Sequence, residues 1–563
     1  MKQILQQLIQ DAFYTNFDKK ISANIDMPKE AEFDYSSNIA LQTAKELGKS
    51  PKDIAAILEK DLKDTHDAIE SIEISGPGFL MFTMKKSFLF SLVHNNAKTW
   101  GHTKNEDKKI MVEYSCLNAM KPFHIGHLRN MFLGESIARI LETQGYNVFR
   151  ANYYGDIGMN IAKCIWGLRN INNNTIPATP RLRGDSMGKC YALGGTAYKE
   201  QENAKKEIQQ ISKELYLGDN EDTQKIFQQG REWSFEYFET IYKKLGMTFD
   251  QHFYESQSWK PGMEIIKKHI GSLFTESNGA IVFEGEKFKE KLHTRVFINS
   301  EGNPTYETKD MGLCSQQNEA FAFDQNIHVV GNEQAGYFPV IFEAQYQVFP
   351  QLRDKQYHLS YGMVKLKDGK MSSRTGDVLY GDWLIDEAES KVSEILSSRD
   401  IADKENVIDK VAVGALKFGM LHIQPKNDII FSLEKSTQFE GDTGPYVQYA
   451  YARISSILEK ITPETFDDAV LIQNLEEADW NLIRHIQYFP LILQRCADEK
   501  TPHYLTHYLL KLVSNFSSWY SANSVKHADS PELQAGRIKI IKLLQITIKN
   551  GLHSLGIEVI EKM

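Results

Sequence analysis

The apolar and polar positions change period several times along the chain, and each change marks an element. The first segment, "MKQILQQLIQDAFYTNF", spaces its apolar residues as an amphipathic helix. "SPKDIAAILEKDLK" predicts another helix, with Ser50 as N-cap and Pro51 at the first position. "IESIEISGPGFLMFTMK" reads as two short strands broken at Gly76-Pro77-Gly78. After the charged break "NEDKK" comes a β-rich run, "KIMVEYS". Apolar residues then recur at helical spacing up to Gly145, and "NVFRANY" reads as a further strand. Strand, loop, helix, glycine stop and strand make a βαβ unit. Its first loop lies where open α/β sheets bind ligands, outside the carboxyl ends of the strands.

A long, charged stretch of helical pattern, about 165–250, reads as an insertion between two halves of this α/β unit. Strand-like runs return at "AIVFEG", "RVFINS" and "QNIHVVG". "YHLSYGMVKLKDGKMSSRTGDV" follows, a strand and then a polar, glycine-rich, basic loop. From about residue 405 to Met563 the pattern is helical throughout. The expectation is a multidomain α/β protein. A small N-terminal α+β domain (1–105) precedes a Rossmann-like parallel-sheet domain with an insertion (106–440), and an α-helical domain (441–563) ends the chain.

The size agrees, since 563 residues are too many for one core. With 42% hydrophobic and 25% charged residues the composition is globular. No run of about 18 apolar residues exists to span a membrane, and the N-terminus lacks the pattern of a signal peptide, so a cytoplasmic protein is expected. Five scattered cysteines without a Cys-x-x-Cys pair give no support for a disulfide framework or a cysteine-based zinc site. A net charge of -9 argues against nonspecific polyanion or DNA binding and leaves specific RNA recognition open.

Chemistry concentrates in "CLNAMKPFHIGHLRN", residues 116–130. His124 and His127 could share a helix face, but zinc needs a third ligand and none is spaced for it, so no metal site is assigned. The plain alternative is two helix-terminal histidines without a role. Their position at a strand-to-helix turn favours phosphate. A helix N-terminus offers free N–H groups and partial positive charge, and the histidines can donate to phosphate oxygens. Gly126 lets a base or ribose come close. The only Walker-like string, "GDSMGKC", has the wrong spacing and ends in Cys. The basic loop "LKDGKMSSRTGD" could bring Lys370 onto a pyrophosphate leaving group, where charge develops; taken alone, it could be a solvated surface loop. Together the two stretches suggest a nucleoside triphosphate site.

"HIGH" and "KMSSR", in this order and far apart, resemble the two signatures of class I aminoacyl-tRNA synthetases. Further segments resemble the arginyl-tRNA synthetase family across nearly the whole chain. "VEYSCLNAMKPFHIGHLRN" is similar to its extended first signature, with Cys116, Leu117 and Met120 departing from the usual Ser, Pro and Ala. "NPTYETKDMGL" and "GNEQAGYFPVIF" resemble its substrate segments, with Tyr337 where His is common. "FDYSSNIALQTAKELGKSPKDIA" and "GPGFLMF" are similar to its additional N-terminal domain. "GDTGPYVQYAYARISSIL" and "NGLHSLGIEVIEKM" are similar to the ends of its helical anticodon-binding domain.

The resemblance implies ATP-dependent activation of L-arginine to arginyl-adenylate, then transfer to the 3' end of tRNA(Arg). Mg²⁺ would arrive with ATP and need no dedicated protein site. The implied catalytic residues are His124, His127 and Lys370. Gly126, Met363, Ser372 and Ser373 would bind ATP. Glu113, Asn118, Tyr306, Asp310 and Gln334 would bind arginine, whose planar, permanently charged guanidinium calls for carboxylates and a phenol. Phe79, Tyr446, Tyr449 and Met563 would contact tRNA, although aromatic residues at helical spacing also serve as core. The family also implies that activation needs bound tRNA, and the chain is expected to act as a monomer. Two rivals stand beside this reading. A nucleotidylyltransferase would not carry the large helical C-terminal region, and a noncatalytic synthetase-like protein would have lost signature residues that are intact here.

Overall fold

The computed structural model describes the chain except for residues 29, 31, 96, 97, 104–107, 172–176 and 368–378. The N-terminal unit runs α1 (Lys2–Phe17), β1 (Tyr35–Ser37), α2 (Ile39–Leu47), α3 (Pro51–Leu62), β2 (Ile69–Ser75), β3 (Phe79–Met84) and α4 (Lys86–Ser91). Ser50 caps α3 as its spacing predicts, its Oγ accepting the Asp53 N–H at 3.1 Å. The strands form an antiparallel sheet in the order β1-β3-β2, and the turn between β2 and β3 is the Gly-Pro-Gly break.

The predicted βαβ unit is β4 (Lys109–Glu113), α5 (Ile125–Thr143) and β5 (Asn147–Tyr154). Among the described residues the region of the expected insertion (about 165–250) carries α6 (Met159–Asn170), which begins ahead of it, α7 (Pro180–Glu200), α8 (Glu202–Leu217) and α9 (Glu221–Leu245). The chain then continues through β6 (Gln251–Tyr254) and α10 (Glu255–Lys268) into a small antiparallel sheet of β7 (Thr275–Ser277), β8 (Ala280–Glu284) and β9 (Thr294–Ile298). It returns by α11 (Tyr306–Ala320), β10 (Gln325–Gly331), α12 (Phe338–Val348), β11 (Gln356–Tyr361) and β12 (Val364–Leu366). Strands β11-β10-β4-β5-β6 form one sheet, in that order, and every neighbouring pair is parallel.

Helix α5 is buried on nearly all sides, unlike a surface helix with one apolar stripe. Leu128, Met131, Phe132, Ile137 and Leu141 lie in the core, each contributing about 1.5–3 kcal/mol of apolar burial. Its polar residues are satisfied internally. Asn130 accepts the Ser115 N–H at 2.6 Å and donates to the Val329 carbonyl at 2.6 Å, fixing the loop after β4 and strand β10 to the helix.

The C-terminal half comprises α13 (Gly381–Ile395), α14 (Lys404–Leu421), β13 (Ile429–Phe431), α15 (Leu433–Ser436), α16 (Gly444–Leu458), α17 (Asp468–Asn474), α18 (Glu477–Ile486), α19 (Phe489–Glu499), α20 (His503–Ala522) and α21 (Pro531–Ser554). The expectation of helix throughout from residue 405 fails at β13, which pairs in parallel with β12. Three residues are too few to show a strand period, and only their partner reveals them. The chain end docks on α5. Ser136 Oγ donates to the Ser554 carbonyl at 3.1 Å, and Lys417, from α14, donates to the carbonyls of Leu245 and Gly556. Among the described residues no helix is long and apolar enough to cross a membrane.

Candidate active site

The loop between β4 and α5 is strained at Ser115, Cys116 and Met120, whose φ values are 73°, 48° and 57°. Non-glycine residues in this region cost about 1–3 kcal/mol each and persist where the surroundings over-determine them. Here the surroundings are explicit. The Ser115 N–H goes to Asn130, the Cys116 N–H to Asn152 Oδ1 at 3.1 Å, and the Met120 N–H to Ser234 Oγ at 2.8 Å. Leu117, which departs from the family's proline, is buried, and its carbonyl accepts the Gly155 N–H at 3.1 Å. Gly155 leaves room for the Asn118 side chain beside it, since a Cβ there would lie 2.5 Å from Asn118 Oδ1.

His124 is the N-cap of α5 and Gly126 its second residue. The backbone N–H of His124 donates to Nδ1 of His127 at 3.2 Å. That nitrogen is therefore an acceptor, so the His127 proton resides on Nε2. The two rings stack with centroids 3.6 Å apart, and Phe123 stacks on the far side of His127. A Cβ on Gly126 would press on the His124 ring at 3.1 Å. Burial and the nearby Lys121 charge push the His124 pKa down to about 4. Burial, then His124 and Lys121, hold His127 well below the ordinary imidazole value. Both rings are neutral hydrogen-bonding groups at physiological pH.

The second signature falls on residues 368–378, so Lys370, Ser372 and Ser373 lie outside the described residues. Its flanks are tied to the start of α5. The Ile125 N–H donates to the Leu379 carbonyl and the Gly381 N–H to the Phe123 carbonyl, both at 3.0 Å. On the other flank, the buried Arg129 guanidinium donates to the carbonyls of Gly362, Met363, Pro425 and Asn427. Met363 itself is exposed in the connection between β11 and β12. The Arg129 guanidinium also lies over the Tyr361 ring, 5.8 Å from its centroid; an arginine held by tertiary contacts leaves no periodic trace, and sequence reading missed Arg129.

Beside this turn, at the carboxyl ends of β4, β5 and β10, a cavity of about 390 Å³ opens. Glu113, Asn118, Tyr306, Asp310 and Gln334, the residues matched to arginine binding, all line it. Its size suits a small ligand. Its charges are mostly matched internally. Glu113 is paired with His328 at 3.1 Å and accepts from Gln317. Burial alone would raise the Glu113 pKa, but the His328 charge and these hydrogen bonds hold it below the usual range, while Glu113 holds His328 up. Glu113 thus has a charged partner, His328, within the fold. Its partner is the residue opposite it in the parallel ladder, which only strand register reveals. Glu255 pairs with the buried Lys309 at 2.6 Å, and Glu307 with Arg295 at 2.9 Å.

Asp310 is different. Among the described residues no cation bonds to it. Its Oδ2 accepts the Tyr337 hydroxyl at 2.6 Å. Burial pushes its pKa up to about 7, against the hydrogen bond from Tyr337, with Glu113 and Glu255 adding to the rise. Tyr306 stands at the first turn of α11, largely exposed, its ring 5.1 Å from Lys309 Nζ. The phenol on Asp310 is therefore that of Tyr337, which sequence reading noted only as a departure. Elsewhere, Phe79 and Tyr449 are partly exposed, and Tyr446 and Met563 are half-buried against the helical core.

An open parallel sheet whose first crossover helix starts at these two histidines, with a helical domain against that helix, is the architecture of a class I aminoacyl-tRNA synthetase. Family models agree: "tRNA synthetases class I (R), catalytic domain" matches residues 89–433, the "DALR anticodon binding domain" residues 447–563, and the "Arginyl tRNA synthetase N terminal domain" residues 1–84. The chain is 32% identical over 560 residues to the arginine–tRNA ligase of Treponema denticola, covering 96% of this chain and 95% of that one. It is 32% identical to that of Amoebophilus asiaticus, covering 100% and 99%. The Thermus thermophilus arginyl-tRNA synthetase structure superposes with a TM-score of 0.87 at 25% identity, covering 100% of both chains. The chain belongs to the arginyl-tRNA synthetase family, and its reaction is the ATP-dependent activation of arginine and its transfer to tRNA.

Proposed function

We propose that this reaction is divided between the cavity and the start of α5. The observation that carries the proposal is the cavity's charge pattern: among the described residues, three of its carboxylates have paired cations and Asp310 has none. The guanidinium of arginine supplies the missing charge. Asn118 and Gln334 hold the amino acid's α-amino and carboxyl ends, Tyr306 closes the mouth, and Glu113 forms the floor, set by His328. Lysine is rejected because its compact ammonium leaves part of the acceptor set unpaired, at about 1–3 kcal/mol per group.

ATP lies against the N-terminus of α5, with its adenine toward Gly126 and Met363. The arginine carboxylate attacks the α-phosphorus, forming arginyl-adenylate and releasing pyrophosphate. Neutral His124 and His127 donate hydrogen bonds to phosphate oxygens and exchange no proton. Lys370 meets the charge that develops on pyrophosphate, with Ser372 and Ser373 shaping its loop. Mg²⁺ comes with ATP. It needs no dedicated protein site, being held chiefly by the phosphates and water. A ribose hydroxyl of the terminal adenosine of tRNA(Arg) then takes the arginyl group, and AMP leaves. Phe79 in the N-terminal domain (1–105) and Tyr446, Tyr449 and Met563 in the anticodon-binding domain (441–563) contact the RNA through stacking. The enzyme works as a cytoplasmic monomer.

Charging of total tRNA with each amino acid in turn tests the specificity. Arginine alone should be attached. Equal attachment of lysine would overturn the assignment of the cavity.

A further inference from the structure

The cavity contains a residue that the functional assignment has not used. Tyr337 is the N-cap of α12. Its backbone N–H donates to the Gln334 carbonyl at 2.9 Å, and its hydroxyl donates to Asp310 Oδ2 at 2.6 Å. The ring is held from outside by the Arg295 guanidinium, 4.8 Å from its centroid, and edge-on by Phe338. Further along α12, Gln345 Nε2 donates to the Asp310 backbone carbonyl at 3.2 Å. Helix α12 thus grips Asp310 by its side chain and its main chain.

A carboxylate on a free torsion can turn to face any cation. A guanidinium differs from an ammonium in wanting the carboxylate plane aligned with its own for two parallel bonds. We infer that Tyr337 is a positioning residue for guanidinium recognition: its hydroxyl fixes the plane of Asp310 and thereby favours a planar fork over a point charge. This rests on the assignment of Asp310 to arginine binding. The titratable groups facing Asp310 are Tyr337 from α12, Glu113 from β4, Cys116 from the loop after β4, Tyr153 from β5, Glu255 from α10, His328 from β10 and Cys314 from α11 itself. Of these, the Tyr337 hydroxyl and His328 favour the charged carboxylate.

The test is tRNA-dependent ATP–pyrophosphate exchange by the full-length enzyme carrying Tyr337→Phe, Asp310→Asn or both, across pH 5.5–8.5, with lysine as competing inhibitor. Tyr337→Phe should raise the arginine KM about 10-fold, a lost hydrogen bond to a charged group. It should leave kcat and the ATP KM within two-fold and, at pH 8.5 where Asp310 is most ionised, lysine inhibition unchanged. The acid limb of the arginine KM should move to higher pH, because a hydrogen bond that favours the charged form is gone. In the Asp310→Asn background the second substitution should add less than two-fold. KM does not depend on the fraction of active enzyme, so modest misfolding would not mimic the result. An unchanged arginine KM in Tyr337→Phe, or a full 10-fold effect in the Asp310→Asn background, would overturn the positioning role while leaving Asp310 in place. An unchanged arginine KM in Asp310→Asn would overturn the underlying assignment itself.

Discussion

The arginine cavity and the start of α5 are joined by the loop after β4 but are built from opposite materials. The cavity is ionic: Glu113–His328, Glu255–Lys309 and Glu307–Arg295 are buried or half-buried pairs, and Asp310 is left over. The start of α5 is neutral, with two imidazoles held uncharged by burial and by Lys121, and with backbone N–H groups. The difference follows from the ligands. A permanent cation needs a carboxylate in place before it arrives, and neighbouring carboxylates must be neutralised or they would repel one another. A triphosphate brings its own charge and counter-ion, so fixed dipoles suffice, and a full positive charge is needed only where pyrophosphate leaves.

Substitutions on either side should separate the two. The largest effect is expected from Lys370→Ala, which should lower the exchange rate about 100- to 1,000-fold, as for loss of one transition-state donor, with the arginine KM kept. His127→Ala should follow, with a kcat lower by about 10- to 100-fold and again little change for arginine; a raised arginine KM would break the division of labour. Next is pH. Asp310 must be charged to bind guanidinium, and its pKa in the free enzyme is raised to about 7. Arginine KM should therefore be flat above pH 7 and rise about 10-fold per unit below it, where a proton must first be lost. The smallest effect is expected from Gly155→Ala. Its Cβ would meet Asn118 Oδ1 at 2.5 Å and displace it, raising the arginine KM a few-fold while thermal stability changes little.

What the sequence made legible were local patterns and chemical types. The βαβ unit, the Ser50 cap and the Gly-Pro-Gly turn depend on neighbours in sequence, and each stands where its spacing predicted. Glu113, Asn118 and Gln334 converge on one cavity because they lie at the carboxyl ends of parallel strands, while Tyr306 and Asp310 reach it from the start of α11. Partnerships across the fold were not legible. His328 reaches Glu113 through strand register, Arg129 reaches four carbonyls of two distant turns, and Lys309 reaches Glu255 one helix away. Strand β13 was missed for the same reason, since its identity lies in its pairing with β12. Buried charges whose partners are fixed by tertiary contacts carry no period of their own.

The central claim is that Asp310 is the carboxylate kept without a cation for the substrate. Calorimetric titration of the enzyme with arginine at pH 6, in buffers of differing ionisation enthalpy, counts the protons released on binding. With Asp310 near pKa 7 when free and fully ionised beside guanidinium, about 0.9 proton should leave per arginine bound, and Asp310→Asn should release none. Binding without proton release in the unsubstituted enzyme, or undiminished release in Asp310→Asn, would contradict the account.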